Sequence, residues 1–448
     1  MGESGKALPI SDAMKSVAEL QTFRKCAYGM LGNGRDALFD LMDAVITSRS
    51  VPSYAELSLS PVFRRQWSSL YKTLERSAPP ANKLMRLYKD YLPSGNRLVL
   101  AGDHTAWSRL WSPTLKERTY EHQPAWAPGL KPVTLGQGYS SVVCVPEASG
   151  SWTLPLLHER ITSFESPLEK AASQLSRVCQ GMNERPLSLW DAEYGCARFL
   201  QLTADIACDK LMRLRSNRVV YGAPPEYSGR GRPRKHGDKF KLNEPRTWGE
   251  PTQQSTQVDE QLGHLRLRCW RNVHFRKTAT QPMQLILVER LDTDGNRTHR
   301  PLWLIGTGET LPALETLWKH YLRRFCVDHW YRFIKQRLHW CLPQLGTAAQ
   351  TAAWSTLMPL ITWQLWLARY AVATHTLPWQ KPLTRPTPGR VANGFAALLD
   401  TLGTPAEEVK PRGKSPGWPT GKSRTPRQRF PTVKKTYSKP KPNTKKVA

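Results

Sequence analysis

The chain predicts an α/β fold, and three observations carry that prediction. Between residues 93 and 212, short apolar runs alternate with stretches of helical spacing. Two of those runs close on an aspartate, at Asp103 and Asp191. Near residue 300 a last apolar run gives way to a stretch free of Pro and Gly between Pro312 and Pro343, long enough for an uninterrupted helix.

In chain order, residues 1–92 read as helical, with Leu38, Phe39, Leu41, Met42, Val45 and Ile46 at helical spacing. Two short pieces follow, 54–59 and 66–74, split by Ser60-Pro61 and Arg64-Arg65. They fit a helix-turn-helix entering a DNA groove and fit a plain helical bundle equally. Residues 97–103 read as a buried strand whose C-terminal end delivers Asp103 to an edge. Strand-like runs follow at 133–145 and 152–157, then helical spacing at 165–179. Residues 186–191 repeat the strand-to-aspartate device, and helical spacing returns at 197–212. We place the first part of the core at 93–212.

Residues 213–300 interrupt that core as a β-rich insertion. It opens with a basic loop rich in Gly and Pro, in which Gly229-Arg230-Gly231-Arg232-Pro233-Arg234-Lys235 is similar to an AT-hook core. Such arginines lie in a narrow A·T minor groove, or make plain phosphate contacts. Strands are expected at 265–270, 273–275 and 283–290, and a hairpin turn at 292–296. Residues 301–345 return to the core. A C-terminal helical region, 346–408, contains the apolar stretch 354–373. Pro359, Gln364 and Arg369 interrupt it, so it reads as buried helix, not a membrane span. From Val409 onward no acid occurs and thirteen Lys and Arg do, so 409–448 reads as a disordered basic tail, or a solubilising extension.

Lys and Arg number 65 against 36 Asp and Glu, a formal charge of +29. That balance favours a polyanionic partner, nucleic acid ahead of an anionic membrane surface. The eight cysteines are scattered with no C-x-x-C pair. Neither a zinc ribbon nor a disulfide framework is supported, and a reducing cytosol is the natural setting. The first residues lack the apolar core of a signal peptide, and Lys6 breaks a myristoylation pattern.

The richest stretch is 318–335, WKHYLRRFCVDHWYRFIK. On a continuous helix Tyr321, Arg324, Asp328 and Lys335 fall within an arc of roughly 60°. Trp318, Leu322, Phe325 and Phe333 form an apolar stripe beside it, expected to face the core. A solvated face laced with i,i+4 pairs is the ordinary reading of such an arc. Set beside two strand-end aspartates, it also suits a metal-binding carboxylate flanked by phosphate-binding cations. Two-metal phosphodiester chemistry needs carboxylates converging from rigid elements.

The order strand–Asp, strand–Asp, β-rich segment, then Tyr-x2-Arg-x3-acid-x6-Lys resembles the DDE transposases of bacterial insertion sequences. The wording of RRFCVDHWYRFIKQRLHW, GDHTAWSRLWSPTLKERTYEHQ and LRSNRVVYGAPP resembles them too. The resemblance implies an RNase H-like core interrupted by a β-rich insertion. It implies that Asp103, Asp191 and Asp328 bind two Mg²⁺ ions, with Mn²⁺ a substitute, to cut and join double-stranded DNA at transposon ends and target. Tyr321, Arg324 and Lys335 would hold phosphates, an aromatic such as Trp270 would stack on a flipped base, and the DNA complex would contain a homodimer on the nucleoid. One departure stands out: position 328 is Asp where the family has Glu, one methylene shorter. Glu193 is a rival ligand if the strand continues past Asp191, and Glu315 lies about 120° round the helix from Tyr321.

Overall fold

The computed structural model describes residues 10–122, 132–372, 385–411, 417, 419–423 and 425–435. Four helices open the chain: α1 (Ile10–Met30), α2 (Arg35–Thr47), α3 (Trp67–Arg76) and α4 (Ala81–Asp90). Between α2 and α3, Tyr54–Leu59 is a 3₁₀ turn. The bundle reading of this region therefore describes it better than the helix-turn-helix reading. Tyr54, Leu70 and Leu74 are buried, and Tyr54 packs edge-on against Trp354 of the C-terminal region. The cause is apolar spacing on every helix, which leaves no independent two-helix unit.

The sheet begins with β1 (Val99–Ser108), β2 (Thr119–His122), β3 (Val133–Cys144) and β4 (Leu154–Ile161). After α5 (Pro167–Cys179), capped by a reciprocal Ser166–Glu169 box, comes β5 (Leu187–Trp190). The helix expected over 197–212 is only α6 (Ala197–Leu202), and the rest is β6 (Asp209–Leu214). Leu211 and Met212 favour helices in isolation, but β6 lies between β5 and another strand, and tertiary pairing overrides propensity. A small hairpin, β7 (Val219–Tyr221) with β8 (Lys239–Lys241), carries the basic loop. Then follow β9 (Gln253–Asp259), β10 (Gly263–Val273), β11 (Met283–Leu291) and β12 (Leu302–Thr307).

Ten strands form one sheet in the order β2-β3-β1-β5-β6-β12-β11-β10-β9, with β4 on β3. β1, β5 and β6 run parallel, and β3 and β4 pair antiparallel, a mixed α/β arrangement consistent with an RNase H-like core. The β-rich stretch is not a separate insertion in this arrangement. β9, β10 and β11 prolong the core sheet through β12, because Leu265, Leu267, Leu285, Ile286 and Leu287 are apolar enough to be buried in it. The polar strand β9 was not expected from its QQSTQVD sequence. It alternates between half-buried and exposed at the sheet edge.

Past the sheet come α7 (Leu314–Leu322), a 3₁₀ turn at Arg323–Phe325, and α8 (Cys326–Gln336). One continuous helix was expected here, and the turn breaks it at the site arginine. α9 (Ala348–Ala368) is buried along nearly its whole length, and no helix among the described residues is long and apolar enough to cross a membrane. It lies on β4, where Trp363 Nε1 donates to Pro155 O at 2.8 Å. Arg24 of α1, itself buried, ties α1 to Asp43 of α2 at 2.8 Å and to Gln364 of α9 at 2.6 Å. The N-terminal and C-terminal helices thus form one layer, closed by α10 (Pro388–Leu402).

The tail is not uniformly free. Residues 425–435 dock on the edge of the sheet, with a parallel bridge between Val433 and Thr119 and a 2.8 Å ion pair from Lys435 to buried Glu121. The remaining tail cations at 412, 414, 424, 439, 441, 445 and 446 lie outside the described residues.

Candidate nuclease site

Asp103 sits in the middle of β1, not at its end. The strand continues to Ser108 because β3 pairs with it throughout, from Leu100↔Cys144 to Ser108↔Gly136. Asp191 directly follows β5, as expected, and the parallel register Gly102↔Trp190 brings the two aspartates level. Gly102 is required there: a Cβ would lie 2.0 Å from the Trp190 ring.

Between α7 and α8 the chain places Arg324 beside the third acid. Arg324, in the 3₁₀ turn, points inward and is buried. Its Nη1 donates to Asp103 Oδ2 at 3.0 Å and its Nη2 to Asp328 Oδ2 at 3.2 Å. Burial works against its charge, but Asp103, Tyr321, Asp328 and Asp191 together hold its pKa above the usual value. All three aspartates therefore act on one guanidinium. Burial raises the Asp103 carboxyl above its ordinary range, with Arg324 and His104 opposing. Asp191 Oδ1, Tyr321 Oη and Arg324 Nε are buried polar atoms without a hydrogen-bond partner.

The helix faces differ from the expected ones. Leu322 and Phe325, expected in the core, are exposed, Phe325 at 43%. Tyr321, expected at the surface edge, is buried, and burial pushes its phenol up to about 12. The reason is that the face carrying Arg324 and Lys335 lies against β1, which buries Tyr321 with it and turns Leu322 and Phe325 outward. Lys335 also reaches inward. Its Nζ donates to Thr105 Oγ1 at 2.7 Å, two residues along β1 from Asp103, and burial lowers its pKa. Asp328 alone of the acids stays well exposed, at 45% of its side chain.

Three residues were not anticipated. His104 Nδ1 lies 3.1 Å from Tyr194 Oη and 3.8 Å from Asp103 Oδ1, and its Nε2 lies 3.8 Å from Glu193 Oε2. Tyr331 Oη donates to the Asp103 carbonyl at 2.8 Å and stands 2.9 Å from Ser141 Oγ. The sequence held one signal for them: His104 adjoins Asp103 and Tyr194 follows Asp191 by three. Glu193 does not continue the strand from Asp191, because a turn closes there with Tyr194 N on Asp191 O.

Trp270 is corrected outright as a base-stacking residue. It is 5% exposed, donates to Gly249 O at 2.6 Å, and packs among Phe240, Trp248 and Trp303. The strands that prolong the sheet use it as core. Arg230, Arg232, Arg234 and Lys235 all lie exposed at the tip of the β7–β8 hairpin. Gly229 and Gly231 turn the loop at φ 78° and 74°.

A hard-oxygen donor set of three aspartates, one with an orphaned buried oxygen, suits a divalent cation in chemistry. Among the described residues, however, no group of three or more His, Cys, Asp or Glu is gathered closely enough to hold a metal ion. The guanidinium of Arg324 bridges the acids instead. A mixed sheet carrying aspartates on adjacent parallel strands, in a strongly cationic chain, is the frame of an α/β protein suited to a polyanionic partner. The family model of the DDE superfamily endonucleases matches residues 28–281, more than half the chain, and the chain belongs to that family. The match spans Asp103 and Asp191 and ends before Asp328. No curated protein matches the chain. Nucleases of this family have DNA as substrate and generally use divalent metals.

Proposed function

We propose that the chain is a transposase that cuts and joins DNA at the ends of an insertion sequence, with Asp103, Asp191 and Asp328 as its acids. The observation that carries this reading is Arg324, which binds Asp103 at 3.0 Å and Asp328 at 3.2 Å, with Asp191 at the end of the strand paired in parallel with β1. Asp103 and Asp191 would hold Mg²⁺, with Asp328 completing the set. When bound, such ions activate an attacking oxygen and stabilise the leaving one. Arg324 holds Asp103 and Asp328 until metal and DNA arrive, then turns to a backbone phosphate. Lys335 orients β1 through Thr105. Tyr331 fixes the backbone at Asp103.

The test is incubation with the element's own ends and Mg²⁺. Nicking and joining are expected; clean binding with neither product would overturn the reading. Asp103→Asn should reduce cleavage by at least a thousandfold while DNA affinity stays within about twofold.

A second reading, a DNA-binding protein descended from a transposase, draws on the short acid at 328 and its bond to Arg324. Asp328→Glu separates the two. A large rate gain marks a weakened site; an unchanged or lower rate marks an enzyme adapted to Asp.

A further inference from the structure

We propose that the turn between β1 and β2 is a rigid, aromatic-tipped DNA contact, with Trp111 stacking on an unpaired base beside the cleavage site. This rests on the nuclease reading for its location and goes beyond it in naming the contact. Trp111 is 93% exposed, the most exposed large hydrophobic side chain among the described residues, and Leu110 beside it is 49% exposed. Exposed tryptophans on floppy loops carry little meaning, but this turn is held on several sides. Arg109 N donates to Leu135 O at 2.8 Å, and buried Arg109 Nη2 donates to Leu345 O at 2.6 Å. Buried Arg118 Nη1 donates to Leu110 O at 3.0 Å, directly behind the exposed pair. Leu115 is fully buried beneath it.

The docked tail segment adds the outer clamp. Phe430 N donates to Pro113 O at 2.9 Å and Val433 N to Arg118 O at 2.8 Å, so the segment binds the turn itself. Lys435 then fixes the segment's end on Glu121. The docking brings exposed Arg429 and Lys434 beside the turn, where Lys116 is exposed as well. The acids there are already matched, Glu117 with Arg160 at 3.0 Å and Glu121 with Lys435. An exposed apolar ring on a turn that also carries exposed cations, on a chain of net charge +29, fits a nucleic acid and not an apolar protein surface.

Its placement gives the contact a purpose. β1, β5 and β6 are parallel, so β1 leaves the sheet on the side where Asp191 ends β5. From Asp103 to Ser108 is about 17 Å of strand, and the turn starts there. DNA held at the aspartates would meet Trp111 a few base pairs away, where a cut or splayed strand exposes a base face.

The experiment measures equilibrium binding of the full chain in EDTA, without cleavage. Three oligonucleotides are compared: an intact duplex, a nicked duplex with one unpaired 2-aminopurine at the nick, and a single strand. Wild type should bind the last two more tightly than the first and quench the 2-aminopurine. Trp111→Ala should weaken those two roughly tenfold, abolish the quenching and leave the duplex unchanged; Trp111→Phe should keep most of both. Lys435→Glu, which unfastens the clamp, should give the same pattern more weakly. Equal loss on all three DNAs, or no loss, overturns the proposal, as does a change in oligomeric state with Trp111→Ala, which would make the ring a contact between copies. A chain that binds no DNA at all sinks the nuclease reading as well; binding that ignores Trp111 sinks only this one.

Discussion

At the scale of single residues, Arg324 decides how the acids behave. It is 6% exposed and faces Asp103, 15% exposed, so Arg324→Ala leaves a largely buried carboxylate without its counter-charge. We expect a stability loss of roughly 3–5 kcal/mol at pH 7 by urea denaturation. The loss should shrink at acidic pH, where Asp103 is protonated and needs no partner. The sign for wild type follows from the raised carboxyl of Asp103. A folded pKa above the unfolded one gives a stabilising contribution that is full below the ordinary aspartate value and fades as pH rises through the folded pKa. Metal binding needs the ionised form, so Mn²⁺ affinity should climb across that same interval. Titration calorimetry at several pH values checks this, and Asp103→Asn should flatten the climb. These residues were largely legible beforehand. Asp103, Asp191 and Asp328 are singled out by the resemblance their order carries, but His104, Tyr194 and Tyr331 are not, because nothing in a sequence tells which hydroxyl will reach which backbone oxygen.

At the scale of elements, the strand pair β1–β5 and the strands beyond β12 carry separate burdens. Gly102 leaves room for the Trp190 ring against β1, immediately before Asp191. Gly102→Ala should displace that ring, cost about 1–3 kcal/mol, and lower cleavage more than DNA binding; thermal unfolding and a cleavage assay together check it. Trp270 belongs to the other group. Trp270→Ala should destabilise by about 3–5 kcal/mol, with no selective loss on DNA carrying an unpaired base. Denaturation paired with binding to such DNA tests this. Most elements could be placed from apolar spacing, among them β1, β3, β4, α5, β5, β11, β12 and α9. Those missed were β2, β6, β9 and the β7–β8 hairpin. β2 and β9 are short or polar edge strands, and β6 is a strand whose leucine and methionine spell helix until its neighbours are known.

At the scale of the whole molecule, charge and connectivity dominate. A chain of +29 should bind DNA with a steep salt dependence, each neutralised phosphate adding nearly one unit of slope. Deleting residues 409–448 removes thirteen cations and the clamp of 425–435. The slope of log affinity against log salt should fall by several units, and limited proteolysis should begin to cut within 109–118, now unclamped. An unchanged slope and an unchanged digest would show the tail to be a passive extension. Helices from both ends of the chain share one layer, so the fold cannot be divided at residue 92 or 346 without exposing α9.

Composition by itself favoured a polyanionic partner, since charge sums over the chain whatever its shape. Spacing by itself determined the α/β alternation, since apolar periods are local, whereas the three acids were singled out by the resemblance their order carries. Only the tertiary structure decided which way the stretch 318–335 faces, because the face carrying Arg324 and Lys335 packs against β1 and turns Leu322 and Phe325 outward. Only it decided that the β-rich stretch prolongs the sheet and buries Trp270, and that part of the tail is held at the sheet edge. Those outcomes depend on which distant surface each segment meets, and a burial preference names no partner.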